Sequence, residues 1–357
     1  MQQPKTASVS DLLKINDYCY EHRKDPNAAV PEIPGFKLLQ AQYDTKTGHG
    51  GVAFHNAETG VLIVGHRGTH AKIGDLLTSN PLSSEAYNDI RTDAKAVLGA
   101  KRTEADQMAI NFTEGVIKDL SRRQEKISHI VQTGHSKGGR EAQVATCHLA
   151  AQGKFDCSAM TFNSLGIHKS QFDPKISYNH CNVQQVGSWP MSADIPSKLY
   201  NQIGGNNQMV NPKCKNALTA HTRTTLKESF SVYHTECNKM DALELIAMHK
   251  KGMNMRGIDD YSSAVKQVKE MSAQAVIHDK ESSMSVTQGK VAFANSSYVV
   301  QKMGDSSNHF KLHAKKDLAD KSIKVGDDVK ISYSKSNPTE KAKVESVVQH
   351  SRSIKMN

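Results

Sequence analysis

Two spacings of apolar residues divide this chain. Short apolar runs bounded by turn residues read as strands at 36–43, 52–55, 61–65 and 127–131. Between and after them, apolar side chains return every three or four positions, which predicts helices over 84–98, 103–122 and 140–151. The second of these opens with Thr103 and Asp106, three apart as in a capping box, and carries Met108, Phe112, Val116 and Leu120 along one stripe. A Glu58-Thr59-Gly60 turn joins two of the early strands. Strands that alternate with helices predict an α/β fold with a mostly parallel central sheet.

The ends of the chain have other textures. A helix pattern at 10–21 is followed by Pro26, Pro31 and Pro34, so 1–34 reads as a helical and extended lead. Helical stretches at 240–249 and 264–271 suggest a lid or a linker over 241–281. Met248, Met253, Met255 and Met271 either line an acyl groove there or serve as ordinary core and linker residues. From 282 only short strand patterns remain, at 286–293, 297–302, 309–313, 329–333 and 341–347, with Gly304-Asp305 and Gly326-Asp327 as turns. The expected organisation is therefore a lead (1–34), an α/β domain (35–240), a helical segment (241–281) and a small β-rich domain (282–357).

The sharpest chemical signal is Thr133-Gly134-His135-Ser136-Lys137-Gly138-Gly139, between a strand pattern and a helix pattern. Gly-x-Ser-x-Gly in that context is a nucleophile elbow, a turn so tight that side chains two before and two after the serine would collide. It would expose the Ser136 hydroxyl at the positive end of the next helix. A turn serine that merely caps the helix is the alternative for the same residues. A serine hydroxyl needs an imidazole to accept its proton and a carboxylate to orient that imidazole. In α/β-hydrolases these follow in the order Ser, Asp, His. Asp194, in the loop after the apolar run 181–186, is the candidate carboxylate, with a plain turn aspartate before Pro196 as the alternative. Among seventeen histidines, His221 is the first candidate base and His234 the second. His135 reads as structural. The residue after the nucleophile supplies one oxyanion N–H, which assigns Lys137.

The stretch 61–69, ending Gly65-His66-Arg67-Gly68-Thr69, with Asp75-Leu76-Leu77-Thr78 after it, resembles the strand, Arg-Gly-Thr turn and Asp-containing loop of class 3 lipase-like α/β-hydrolases. Gly-His-Ser-x-Gly-Gly is that family's elbow, and Thr161-Phe162-Asn163-Ser164-Leu165-Gly166 is similar to its next strand, with Leu165 where proline is usual. The resemblance spans about 35–235. It implies a second oxyanion donor in the Gly68-Thr69-His70 turn, assigned to Thr69, with Arg67 bracing that turn, and it agrees with Asp194 before Ile195-Pro196. It implies ester hydrolysis through an acyl-enzyme, with no metal or cofactor. Residues 286–348 resemble a KfrB-like domain, on Gly289-Lys290-Val291, Val299-Val300-Gln301, His313 to Leu318 and Val325 to Tyr333.

Composition narrows the rest. The chain has 357 residues, 37% of them hydrophobic and 6% aromatic, and a net charge of +10. The excess of lysine and arginine favours anionic partners such as an acidic membrane surface. With no zinc-finger spacing and few aromatics, nucleic acid is not expected. Six scattered cysteines without Cys-x-x-Cys pairs read as reduced thiols, and His234 with Cys237 and Cys214 fits no common zinc spacing. The N-terminus lacks a secretory leader's layout and no apolar run is long enough to span a bilayer, so the expectation is a protein made in a cytoplasm and exported, if at all, without a cleaved signal. The leading expectation is a lipid esterase of phospholipase or lysophospholipase type acting as a bacterial effector. An acyl-protein thioesterase and a non-catalytic binding scaffold are the alternatives, with the C-terminal domain as a protein-binding module.

Overall fold

The computed structural model describes residues 6–69, 102–187, 201–214, 220–278, 285–334, 336–337 and 339–347. The helix expected over 84–98 and the loop carrying Asp194 lie outside them. Chain packing defines two compact units, 1–255 and 256–357, so the helical segment expected over 241–281 straddles the division.

The first unit holds α1 (Val9–Lys24), β1 (Lys37–Tyr43), β2 (Gly50–Asn56), β3 (Val61–His66), α2 (Glu104–Arg122), β4 (His129–His135), α3 (Lys137–Gln152), β5 (Cys157–Phe162), β6 (His180–Val186), β7 (Asn206–Val210), α4 (Arg223–Val232), α5 (Thr235–Lys239) and α6 (Ala242–Lys250). The seven strands form one sheet in sequence order. β1, β2 and β3 pair antiparallel, and each pair from β3 to β7 is parallel. This is the mostly parallel α/β sheet that the alternating pattern predicts.

Side-chain alternation along the strands sorts the helices into two layers. Leu62 and Val64 of β3 join Phe112, Val116 and Leu120 of α2 and Leu149 of α3 in one apolar cluster. Gly65, on the other face, lies under α1, where a Cβ would stand 2.7 Å from Ile15 Cγ2. The sheet is thus covered by α1 on one side and by α2 and α3 on the other. The capping box at Thr103 is formed: the Asp106 N–H donates to Thr103 Oγ1 at 3.1 Å and the Thr103 N–H to Asp106 Oδ2 at 2.8 Å. Asp106 also accepts from Arg140 of α3, at 3.1 Å from Nε and 3.0 Å from Nη2, with both side chains almost wholly buried. One carboxylate therefore starts α2 and fastens it to the helix that follows the elbow.

Two strands run differently from the apolar pattern, for identifiable reasons. β4 continues to His135, well past the apolar run, because its polar side chains are bonded inside: Gln132 Oε1 to His66 Nε2 at 2.7 Å, and Thr133 Oγ1 to Asn16 Nδ2 of α1 at 3.1 Å. β7 reads Asn-Asn-Gln-Met-Val and buries only Asn207 and Met209, so a five-residue edge strand gives no apolar run. α6 packs against β5 and β6. Its N-cap Asp241 accepts from Thr6 Oγ1 at 2.9 Å, which ties it to the start of α1.

The second unit contains α7 (Met255–Met271), which opens at the division, then β8 (Val276–His278), β9 (Val286–Ala294), β10 (Tyr298–Lys302), β11 (His309–Ala314), β12 (Asp328–Ser332) and β13 (Lys343–Ser346). Six strands form a separate sheet in the order β13-β12-β9-β10-β11-β8. Val300, Phe310 and Leu312 pack with Ala264 and Val268 of α7, whereas Val299 turns to the other face with Val291, Leu318, Val329 and Ile331. The β-rich C-terminal domain is present, extended by α7 and by β8. The four methionines do not share an environment: Met255 is buried and Met271 exposed. Among the described residues no helix is long and apolar enough to cross a membrane.

Candidate active site

Ser136 sits between β4 and α3 with φ 58° and ψ −123°, a left-handed backbone that serine rarely adopts. The turn is enforced on both sides. A Cβ on Gly134 would stand 2.2 Å from the Gly138 carbonyl oxygen, and one on Gly138 would stand 2.2 Å from that of His66. The Ser136 N–H donates to the Phe162 carbonyl at 3.1 Å, and its own carbonyl accepts from Gly139 and Leu165 at 3.0 and 3.1 Å. The elbow is thereby bonded to β5 and to the first turn of α3, whose positive end faces the serine.

His221, just before α4, places Nε2 2.8 Å from Ser136 Oγ. Thr222 caps α4 by accepting from the Thr225 N–H. Arg223 pairs with Asp17 of α1 at 2.6 Å and lies over the Tyr20 ring, 3.7 Å from its centroid. Lys227 also reaches Asp17. The backbone on either side of the base is held as well: His135 Nε2 lies 2.8 Å from the His221 carbonyl, and Asn163 Nδ2 donates to the Ala220 carbonyl at 2.8 Å. Hence the structure brings Ser136 and His221 together. His234, buried ahead of α5, is not the ring at the serine oxygen. Asp194 lies outside the described residues.

Lys137 opens α3, so its N–H precedes the helical hydrogen-bond ladder. Thr69 follows Gly68, and Gly68 packs so closely that a Cβ there would be 3.3 Å from Ser136 Cβ. The Arg67 guanidinium is buried and reaches the β1–β2 turn: Nη2 donates to the Gly48 carbonyl at 2.9 Å, beside the Tyr43 ring. The Lys137 ammonium donates to the same carbonyl at 2.8 Å and lies 3.6 Å from Glu141. One turn carbonyl therefore braces the segments leading to both assigned oxyanion donors.

Beneath the elbow, His49, His66 and Glu141 bring one ligand atom each within 4.8 Å of one another, a grouping that could hold a cation. The buried Lys137 ammonium and Arg67 guanidinium already supply positive charge there, which opposes a further cation. Burial, then His66, Lys137 and Arg67, hold His49 well below the usual imidazole range, and burial pushes His66 down to about 4. These rings are neutral packing partners of the elbow.

Sequence reasoning did not find Tyr20, Asn16 and Asp17 of α1, nor the role of Asn163. The available signal was polar residues one helical turn apart, Asn16 and Tyr20, in a helix otherwise read as a lead. In the second unit, three polar residues of the KfrB-like pattern meet. His313 Nδ1 lies 2.8 Å from the Tyr333 hydroxyl and Nε2 3.3 Å from Gln301 Oε1, and Gln301 Nε2 donates to the Val329 carbonyl at 2.7 Å. Burial, with Lys311 nearby, pushes His313 down to about 3. These residues tie β10 and β11 to β12 and the residue that follows it.

A left-handed serine at the end of a central parallel strand, glycine on both sides and an imidazole on its oxygen make the arrangement of α/β-hydrolases. Residues 286–346 match the family model of the KfrB Domain. Among solved structures, the chain is similar to lipase II from Rhizopus niveus, at 15% identity over 50% of this chain and 71% of that one, with a TM-score of 0.35. It is similar to the Rhizomucor miehei lipase propeptide complex, at 13% identity over 60% and 76%, with a TM-score of 0.35. It is also similar to a triacylglycerol lipase from Penicillium expansum, at 13% identity over 58% and 83%, with a TM-score of 0.36. No curated protein matches it.

Proposed function

We propose that the chain is a serine esterase of the lipase type. The observation that carries this reading is the 2.8 Å contact between His221 Nε2 and the oxygen of a left-handed serine at a helix N-terminus. Ser136 Oγ attacks an ester carbonyl while His221 Nε2 takes its proton, and Asp194 orients the ring. The N–H groups of Lys137 and Thr69 hold the tetrahedral oxygen, each such donor contributing about 3 kcal/mol to the transition state. The intermediate expels the alcohol, which receives the proton from His221, and water then releases the acyl group by the same route. No step calls for a metal or a cofactor.

Phospholipids or lysophospholipids are the proposed substrates, from the family resemblance and the net charge of +10, which favours an anionic membrane surface. An effector acting on membranes, with the KfrB unit binding a protein partner, is the corresponding role. The test is head-group and acyl-chain analysis of vesicles of phosphatidylglycerol and phosphatidylcholine, of a triacylglycerol emulsion and of an acyl thioester, each incubated with wild type and Ser136→Ala. Free fatty acid from the phospholipids with wild type alone is expected. Release from the thioester alone would assign a thioesterase, and equal spectra from both proteins in all four would leave a binding scaffold.

A further inference from the structure

We propose that His135, the residue before the serine, is a positioning residue that holds the base His221 by its backbone. The proposal rests on the hydrolase reading above, in which His221 takes the Ser136 proton. A carbonyl oxygen only accepts, so the 2.8 Å contact from His135 Nε2 to the His221 carbonyl puts the ring hydrogen on Nε2. Nδ1 is then bare and accepts the Tyr20 hydroxyl of α1 at 3.3 Å. Burial, followed by the neighbouring His221 and Arg223, holds this imidazole well below its ordinary range, in keeping with a neutral ring. With Nε2 committed to a carbonyl, His135 is not itself a base.

Asn163 does the same one peptide earlier. Its Nδ2 donates to the Ala220 carbonyl at 2.8 Å, and the residue is itself fixed, with φ 44° and with Oδ1 accepting the Gln185 N–H at 2.7 Å. Two consecutive carbonyls at the base are thus bonded to side chains at the ends of β4 and β5. Since β4 also ends in the serine, nucleophile and base share one frame: Ser136 to its covalent neighbour His135, through that ring to the His221 carbonyl, and back through the His221 side chain to Oγ. Tyr20 closes the frame against the oxyanion turn, where a Cβ on Gly68 would lie 2.1 Å from its hydroxyl. This gives α1 a part in the chemistry that its place in the sequence does not suggest.

The test compares wild type, His135→Leu and His135→Gln on a chromogenic short-chain ester and on a fluorophosphonate probe. Glutamine carries an N–H near the position of the imidazole Nε2, and leucine carries none. Leucine is expected to lower kcat and the labelling rate by about 10- to 100-fold, the scale of a misplaced catalytic group. KM should move by no more than about twofold, because substrate binding is untouched, and glutamine should recover most of the rate. Equal rates for wild type and His135→Leu would overturn the proposal, as would equal losses in both variants. Nitrogen-15 NMR of histidine-labelled wild type reads the tautomer without any substitution, so a variant that fails to fold does not block the test. The Nε2–H form at His135 is expected, and the Nδ1–H form would overturn the proposal, because a bare Nε2 cannot donate. A wild type inert to the probe would remove the hydrolase reading instead, while the tautomer decides the clamp independently.

Discussion

Ser136 holds its φ of 58° at a cost on the order of 1–3 kcal/mol for a non-glycine residue. The strain is local and tied to exposing one hydroxyl, so relieving it should separate stability from activity. Ser136→Gly is expected to raise the unfolding free energy by about 1 kcal/mol while abolishing ester hydrolysis. Urea denaturation alongside an esterase assay measures both. A loss of stability would mean that the serine side chain contributes more through its contacts than its backbone costs. The elbow was legible in the sequence because every constraint on it is local, with Gly134 and Gly138 two residues either side and a strand and helix adjoining. His221 was legible only by its order along the chain. His135 and Asn163 were not legible as clamps, because what they hold is a backbone carbonyl some sixty to ninety positions away, which leaves no local mark.

The helices show where patterning suffices and where it stops. α2 was readable from its capping box and stripe, yet Asp106 has a second duty, the buried pair with Arg140, that capping logic does not reveal. Asp106→Ala leaves the Arg140 guanidinium buried without its anion and should cost about 3–5 kcal/mol. Thr103→Ala removes a cap alone and should cost about 1 kcal/mol. Urea midpoints of the two variants distinguish these, and equal losses would show that Arg140 finds other acceptors sufficient. α1 was readable as a helix but not as a wall of the site, because its contacts with the site are polar: Asp17 to Arg223 and Lys227, Asn16 to Thr133, Tyr20 to His135. The edge strand β7 and the three-residue β8 were missed for want of apolar residues or of length.

At the scale of the molecule, each unit has its own apolar core, and each buries imidazole as well, the first unit several rings. Burial pushes His180 of the first unit and His313 of the second down to about 3. The unfolded chain binds protons on these rings near 6.5, the folded one only near 3, so stability is complete above about pH 6.5 and falls as pH drops toward the folded values. Each ring adds a slope of about 1.4 kcal/mol per pH unit in that window. Urea midpoints between pH 7 and 5 should therefore fall for both units, before most carboxylates titrate. A flat profile would mean that these rings take up protons in the native state.

The most direct test of the central claim, a serine activated by His221, is peptide mapping after exposure to a fluorophosphonate. A single adduct on Ser136 is expected, absent in Ser136→Ala and formed at least about 100-fold more slowly in His221→Ala. No adduct on Ser136, or equal labelling rates with and without the His221 imidazole, would contradict it.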